Sequence, residues 1–406
     1  LLDTTLNAGG AAFVVDPGGS MEPTIQVHGG QFYTISATQP FKANLFAGPL
    51  FPPDLEEGGQ PSQAKFNLLL NFLMIMVFGL EPKESTLDLN VSRDLLAQAV
   101  RAAYDEVETY AHTSGYSGSG PVRSATRVNN VTLSLVRAKI DDPTAVHAEL
   151  AQELRRSLSP YCQGGQYGAF FDVDYPELAG EVLGINLDPI RDDRTLCSLL
   201  LILFTHHASS VFEARRARGE TRQSLLLIDE VHAYLQGSFM ADFIRTQMKV
   251  LRKFGVSFCV ASQSLRDFVA TPQQPNPCGE TVLESTHYWW LLAQDAYFRE
   301  FAADPRRDLS RLPPATLQRI AAQQPGPGYA PFYLYSKTTA TECGFFRYPA
   351  SFRELATYST KPQHHALRLA ARHALEGKYQ GPELWARVIS QVAETLKRES
   401  QQKGRP

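Results

Sequence analysis

Ser224-Leu225-Leu226-Leu227-Ile228-Asp229-Glu230-Val231-His232 constrains this chain more than any other stretch: four apolar residues run directly into an acidic pair. The run is too short for an isolated helix and does not alternate, so it reads as a parallel strand covered on both faces. Ligands in such sheets bind beyond the carboxyl ends of the strands. Two adjacent carboxylates there can serve a divalent cation and an attacking water. Any buried strand can also end in Asp-Glu, and this run alone does not separate the two readings.

Two further segments share the form. Val256 to Ser264 (VSFCVASQS) reads as a second buried strand running into small polar residues and Gln263, which could meet a terminal phosphate or its attacking water. Ala11 to Ser20 (AAFVVDPGGS) reads as a third, ending in Asp16 and a glycine turn. A helical span from Ala241 to Leu251, closed by Arg252-Lys253-Phe254-Gly255, lies between the first two. Strands that end in chemistry-capable residues and are separated by helices predict an open α/β sheet with its site along one edge.

The remaining chain divides by composition. A further strand is expected at Gln31–Ile35, then a Pro/Gly-rich loop at Gly48–Gln63. From Lys65 to about Pro160 the pattern is helical; Ser92 is the expected cap of an amphipathic helix through Val107, and a Gly/Ser-rich linker spans His112–Ser124. Strands are expected at Gly168–Val173 and Glu181–Leu187, and a long helix from about Asp192 to Arg216. Beyond Gln263, Thr286–Gln294 reads as the next buried strand, Gly328–Pro349 as a hairpin, and Ser351 onward as helical. The arginines of Glu213–Gly219 suit either a phosphate backbone or a helix C-terminus, and without interleaved aromatics the cap reading is favoured.

With 406 residues the chain has room for two or three domains, and its formal net charge of −3 gives no global case for nucleic acid. Five scattered cysteines without a C-x-x-C pair predict buried free thiols in a reducing compartment, and neither His206-His207 nor His364-His365 has partners at ligand spacing, so no structural zinc is expected. The apolar run Leu68–Leu80 is too short to span a bilayer and reads as a buried helix. Leu1 opens without a basic signal region.

Taken together, VVDPGGS…HGGQFYTIS, SLSPYCQGGQYGAFFD (Ser157–Asp172), LLLIDEVHAYL and LRKFGVSFCVASQSLRDF resemble the large ATPases of type IV secretion and conjugation systems, within the HerA/FtsK branch of RecA-like P-loop motors. The resemblance covers most of the chain. It implies an α/β RecA-like P-loop NTPase core at 1–65 and 164–350, an inserted all-helical subdomain at 66–163 and a helical extension at 351–406. It also implies ATP and Mg²⁺ as ligands, with Asp16, Asp229 and Lys253 on the cofactor side and Asp229 holding the metal through water. Glu230 would be the general base, Gln263 the γ-phosphate sensor and Arg252 an arginine finger reaching a neighbouring protomer, with Lys253 as the fallback. A helix C-terminus would equally account for Arg252 and Lys253.

Self-association as a hexamer, inner-membrane channel components, and DNA or protein substrates are the implied partners, at the cytoplasmic face of a bacterial inner membrane. No G-x-x-x-x-G-K-[ST] loop occurs in the 406 residues. The resemblance places it just ahead of Leu1–Gly10, which reads as the tail of the following helix, so such a loop is expected within about fifteen residues upstream of Leu1. The alternatives are a non-catalytic docking module of the same apparatus and a DNA-translocating coupling ATPase.

Overall fold

A computed structural model describes the chain except for residues 52, 55–59, 81–87, 114–129, 143, 174–179, 235–236, 271–275, 327, 340–341 and 404–406. Helix α1 (Leu2–Asn7) leads into strand β1 (Ala12–Val15), followed by α2 (Glu22–Val27) and β2 (Gln31–Thr34). A two-residue pair, β3 (Pro53–Asp54) and β4 (Gln60–Pro61), precedes the helices α3 (Ala64–Phe78), α4 (Leu89–Thr113), α5 (Leu133–Lys139), α6 (Ala148–Leu158) and α7 (Gly168–Phe171). Strand β5 (Val182–Asn186), helix α8 (Arg194–Ala217), strand β6 (Ser224–Ile228), helix α9 (Ser238–Lys253) and strand β7 (Val256–Val260) then complete a parallel sheet of order β2-β5-β1-β6-β7.

The unbroken apolar character of the central strands follows from their two covered faces. Phe13, Val15, Leu226 and Ile228 enter the large core shared with α3 to α9. Ala12, Val14, Leu225 and Leu227 enter a second cluster with Leu2, Leu6 and Ile25 on the opposite face. Alternation is lost because both faces are apolar. Helix α8 is long and apolar enough to cross a membrane by length and composition, and 72% of its apolar window is buried here. It packs on the sheet through edge-on contacts of Phe204 and Phe212 with Phe13, at 5.7 and 5.3 Å between ring centroids. His206 and His207 lie in the same helix, and burial pushes the imidazoles down, His206 to about 4.

Three local expectations are corrected. Gly168–Val173 is not a strand: Asp172 N–H donates to Gly168 O at 2.9 Å, closing the single turn of α7, which buries Phe170 and Phe171. Ser92 does not cap α4, which begins earlier; the Asp88 carboxylate accepts from the N–H groups of Asn90 and Val91 at 2.8 and 3.1 Å. The Thr286–Gln294 segment yields β8 (Tyr288–Leu291), but outside the parallel sheet. It pairs antiparallel with β9 (Tyr329–Ser336), which pairs with β10 (Gly344–Pro349). Trp289 and Leu291 enter a separate core there, whereas Tyr288 and Trp290 are half exposed, the alternation of a sheet with one wet face. The linker expected at His112–Ser124 falls largely outside the described residues.

Helices α10 (Pro277–Ser285), α11 (Tyr297–Ala303) and α12 (Pro314–Ala321) accompany the antiparallel sheet. The chain ends in α13 (Phe352–Tyr358), α14 (Pro362–Leu375) and α15 (Gly381–Lys403), with their own apolar cluster around Val388, Ile389 and Trp385. Two arginines at the end of α8 are engaged with protein carboxylates. Arg215, nearly buried, donates to Gly9 O at 3.0 Å and pairs with Glu181 and Glu220, and Arg218 pairs with the same two carboxylates. This end of the sheet is thereby tied together.

Candidate nucleotide site

The three strands expected to carry the site end level with one another. Val15, Ile228 and Val260 are in register across β1, β6 and β7, so Asp16, Asp229 and Ala261 leave the same carboxyl edge. The ladder continues one residue beyond the strands: Asp229 N–H donates to Val15 O and Ala261 N–H to Ile228 O, both at 2.9 Å, and Val231 N–H donates to Ala261 O at 3.0 Å. Asp229 therefore has a fixed backbone.

Glu230 sits in left-handed backbone, with φ 49° and ψ 41°. That region costs a non-glycine residue roughly 1–2 kcal/mol, and such strain persists where the surroundings over-determine it. Here the backbone N–H of Glu230 donates to Asp229 Oδ1 at 2.9 Å, and Gln263 Nε2 donates to Glu230 Oε1 at 2.5 Å. Gln263 reaches it from the segment after β7, so Glu230 and Gln263 meet across 33 residues of sequence.

Asp16 is fully buried at the start of a turn whose Gly18 and Gly19 have φ of 82° and 70°. Its carboxylate accepts from Ser20 Oγ at 3.0 Å and Met21 N–H at 2.6 Å. Burial nevertheless raises its pKa to about 6, against the lowering by these bonds and with a further push from Asp229. Asp229 is raised as well, by burial first and then by Glu230, offset in part by its hydrogen bond from Glu230 N–H. Neighbouring carboxylates held in this condition are an electrostatic demand for a cation.

The donor set decides which cation. Among the described residues no group of three or more His, Cys, Asp or Glu side chains could cage a metal. Magnesium is held through one or two carboxylates with water and phosphate oxygens completing its shell, so the site fits Mg²⁺ delivered with a nucleotide. Asp229, at the open edge, is the residue that would face it.

The raised pKa of Asp16 has a consequence for stability. Between its unfolded value near 3.8 and about 6 the folded state binds the extra proton, so stability is greatest at the acid end and falls as pH rises through about 6. The full effect is roughly 3 kcal/mol. Urea unfolding in EDTA should show a lower midpoint at pH 7.5 than at pH 5, and Asp16→Asn should flatten that slope; an unaltered slope would contradict the assignment.

Arg252 and Lys253 are not brought to this cluster. They form the exposed last turn of α9, immediately before the amino end of β7, at the opposite edge of the sheet from Asp229 and Glu230. The five residues of β7 separate the edges by about 16 Å. Three residues without an assigned role in the sequence do join the cluster. His232 Nδ1 lies 3.7 Å from Glu230 Oε2, 3.6 Å from Asp267 Oδ2 and 3.4 Å from Ser262 Oγ. The available signal was spacing: His232 follows the acidic pair by two residues, and Ser262 and Asp267 bracket Gln263.

A parallel α/β sheet with paired carboxylates and a glutamine at its carboxyl edge fits a RecA-like nucleoside triphosphatase core. The TraG P-loop domain family matches residues 144–382, more than half of the chain. The chain belongs to that family, the P-loop ATPases of conjugation and type IV secretion. Among solved structures, VirB4 of Thermoanaerobacter pseudethanolicus is similar over 84% of this chain and 82% of its own, with a TM-score of 0.56 and 15% identity. The plasmid coupling protein TrwB in complex with ADP and Mg²⁺ covers 86% of this chain and 80% of its own, with a TM-score of 0.47 and 12% identity. No curated protein sequence matches.

Proposed function

We propose that this chain hydrolyses ATP to power pilus assembly or substrate transfer by a type IV secretion or conjugation channel, acting as a hexamer at the cytoplasmic side of the inner membrane with channel components as partners. One observation carries the chemistry: a strained glutamate, gripped by a glutamine, beside half-buried Asp229 at the ligand edge of a RecA-like sheet. Membership of a P-loop ATPase family supports the choice of substrate.

Phosphoryl transfer asks the protein for position and charge rather than for covalent chemistry. Bound Mg²⁺ would neutralise charge on the phosphates. Asp229 would hold it through water, from a backbone fixed on both sides by the ladder. Glu230 would take the proton of the attacking water, and Gln263 would orient that water or report the γ-phosphate. Asp16 would act from below, by setting the glycine turn and raising the electrostatic demand at Asp229. Arg252 would reach the nucleotide of a neighbouring protomer, a reading that its place on the opposite edge supports.

The metal assignment is tested by titrating hydrolysis with Mg²⁺ in the full-length protein. An outer-shell carboxylate is worth about 10–100-fold in metal affinity, so Asp229→Asn should raise the Mg²⁺ required by that factor. An unchanged Mg²⁺ requirement would remove Asp229 from the metal side.

A further inference from the structure

We propose that His232 is a positioning residue for hydrolysis, which holds the Glu230 carboxylate from the side opposite Gln263. This rests on the reading of Glu230 as the general base. The two oxygens of Glu230 are divided between two neighbours: Oε1 accepts from Gln263 Nε2 at 2.5 Å, while Oε2 faces His232 Nδ1 at 3.7 Å. His232 belongs to the single 3-10 turn Val231–Ala233 that leaves Glu230, and that turn is pinned by Val231 N–H on Ala261 O. The ring is therefore delivered by the same local structure that forces Glu230 into left-handed backbone.

Three oxygens lie around Nδ1 of the ring. Ser262 gives its hydroxyl proton to Asp267 Oδ2. The Ser262 oxygen at 3.4 Å, Asp267 Oδ2 at 3.6 Å and Glu230 Oε2 at 3.7 Å thus all present acceptors to Nδ1. In the Nδ1–H tautomer His232 stands as an N–H donor between the base and the Ser262–Asp267 pair. Gln263 holds one carboxylate oxygen, and His232, 3.7 Å from the other, would steer it as the contact tightens around a bound water.

Asp267 is anchored in turn. Its carbonyl accepts from Asn276 Nδ2 at 2.7 Å, and Ser264 Oγ donates to Asp295 Oδ2 at 2.6 Å. Leu265 and Phe268, on either side of it, pack against the core of the antiparallel sheet. The brace on Glu230 is therefore continuous with the C-terminal sheet, although its anchor Asp267 follows Glu230 by 37 positions in the chain.

Steady-state hydrolysis by full-length His232→Ala, His232→Asn, Asp267→Asn and the His232→Ala/Asp267→Asn double variant tests the proposal, beside Glu230→Gln in the same assay. Because the residue acts through Glu230, His232→Ala should lower kcat about 10–100-fold while KM for ATP stays within about twofold. His232→Asn, whose amide N–H can occupy the Nδ1 position, should recover most of the loss. The double variant should be little worse than His232→Ala alone, since both changes remove one brace. A wild-type kcat in His232→Ala, a loss confined to KM, no rescue by Asn, or multiplicative losses in the double variant would each overturn the proposal. If Glu230→Gln is inactive while His232→Ala is not, only the brace falls. If Glu230→Gln is also active, the base assignment falls first.

Discussion

Arg252→Ala should reduce ATP hydrolysis by about a thousandfold or more while leaving nucleotide binding nearly intact, the loss typical of an arginine finger supplied from a neighbour. The expectation follows from position: Arg252 closes α9 at the amino edge of the sheet, the length of a five-residue strand from the edge that carries Glu230. A guanidinium there is placed to meet a transferring phosphoryl group across a subunit interface, where its planar fork suits phosphate oxygens. Mixing Arg252→Ala with Glu230→Gln subunits should then restore part of the activity, because some interfaces pair an intact Arg252 with an intact Glu230. Under conditions where subunits demonstrably exchange, a mixture as inactive as either parent would leave Arg252 as a helix cap and make Lys253 the candidate.

Glu230→Gln should lower kcat by about 10²–10⁴ while ATP still binds, since general-base catalysis contributes on that order. The glutamine keeps the side-chain length and can still meet Gln263, which donates to Oε1 in the native protein. What it cannot do is accept the proton of an attacking water. Left-handed backbone at position 230 is paid by either residue, so the change should leave the unfolding midpoint close to the native one. A large drop in stability would mean that the carboxylate is structural.

The sheet was legible because its signal is local. Two covered faces leave β1 and β6 without polar interruption, and each strand announces its edge by the residue that follows: Asp16, Asp229 and the segment carrying Gln263. Their meeting was legible too, since parallel strands joined by helices place all carboxyl ends together. What sequence could not supply was pairing that depends on tertiary partners. Tyr288–Leu291 has the composition of a core strand, yet its partner is β9, with Tyr288 opposite Ser336 at the first paired position, and the wet outer face follows from that pairing. Gly168–Phe171 has strand-like aromatics, but a Cβ at Gly168 would lie 2.2 Å from Cys162 O, so the chain passes too close to its own preceding loop to run straight. The ring of His232 was visible as a residue and silent as a role, because Ser262 and Asp267 reach it from another strand's exit.

The account turns on Glu230 at the carboxyl edge being the group that activates water against bound ATP. The direct measurement is the fate of labelled ATP held by the full-length protein with Mg²⁺ in a single turnover: nucleotide is recovered over time and separated into ATP and ADP. The native protein should yield ADP, and Glu230→Gln should retain ATP intact over times at least a hundredfold longer. Conversion to ADP by Glu230→Gln at the native rate would contradict the account.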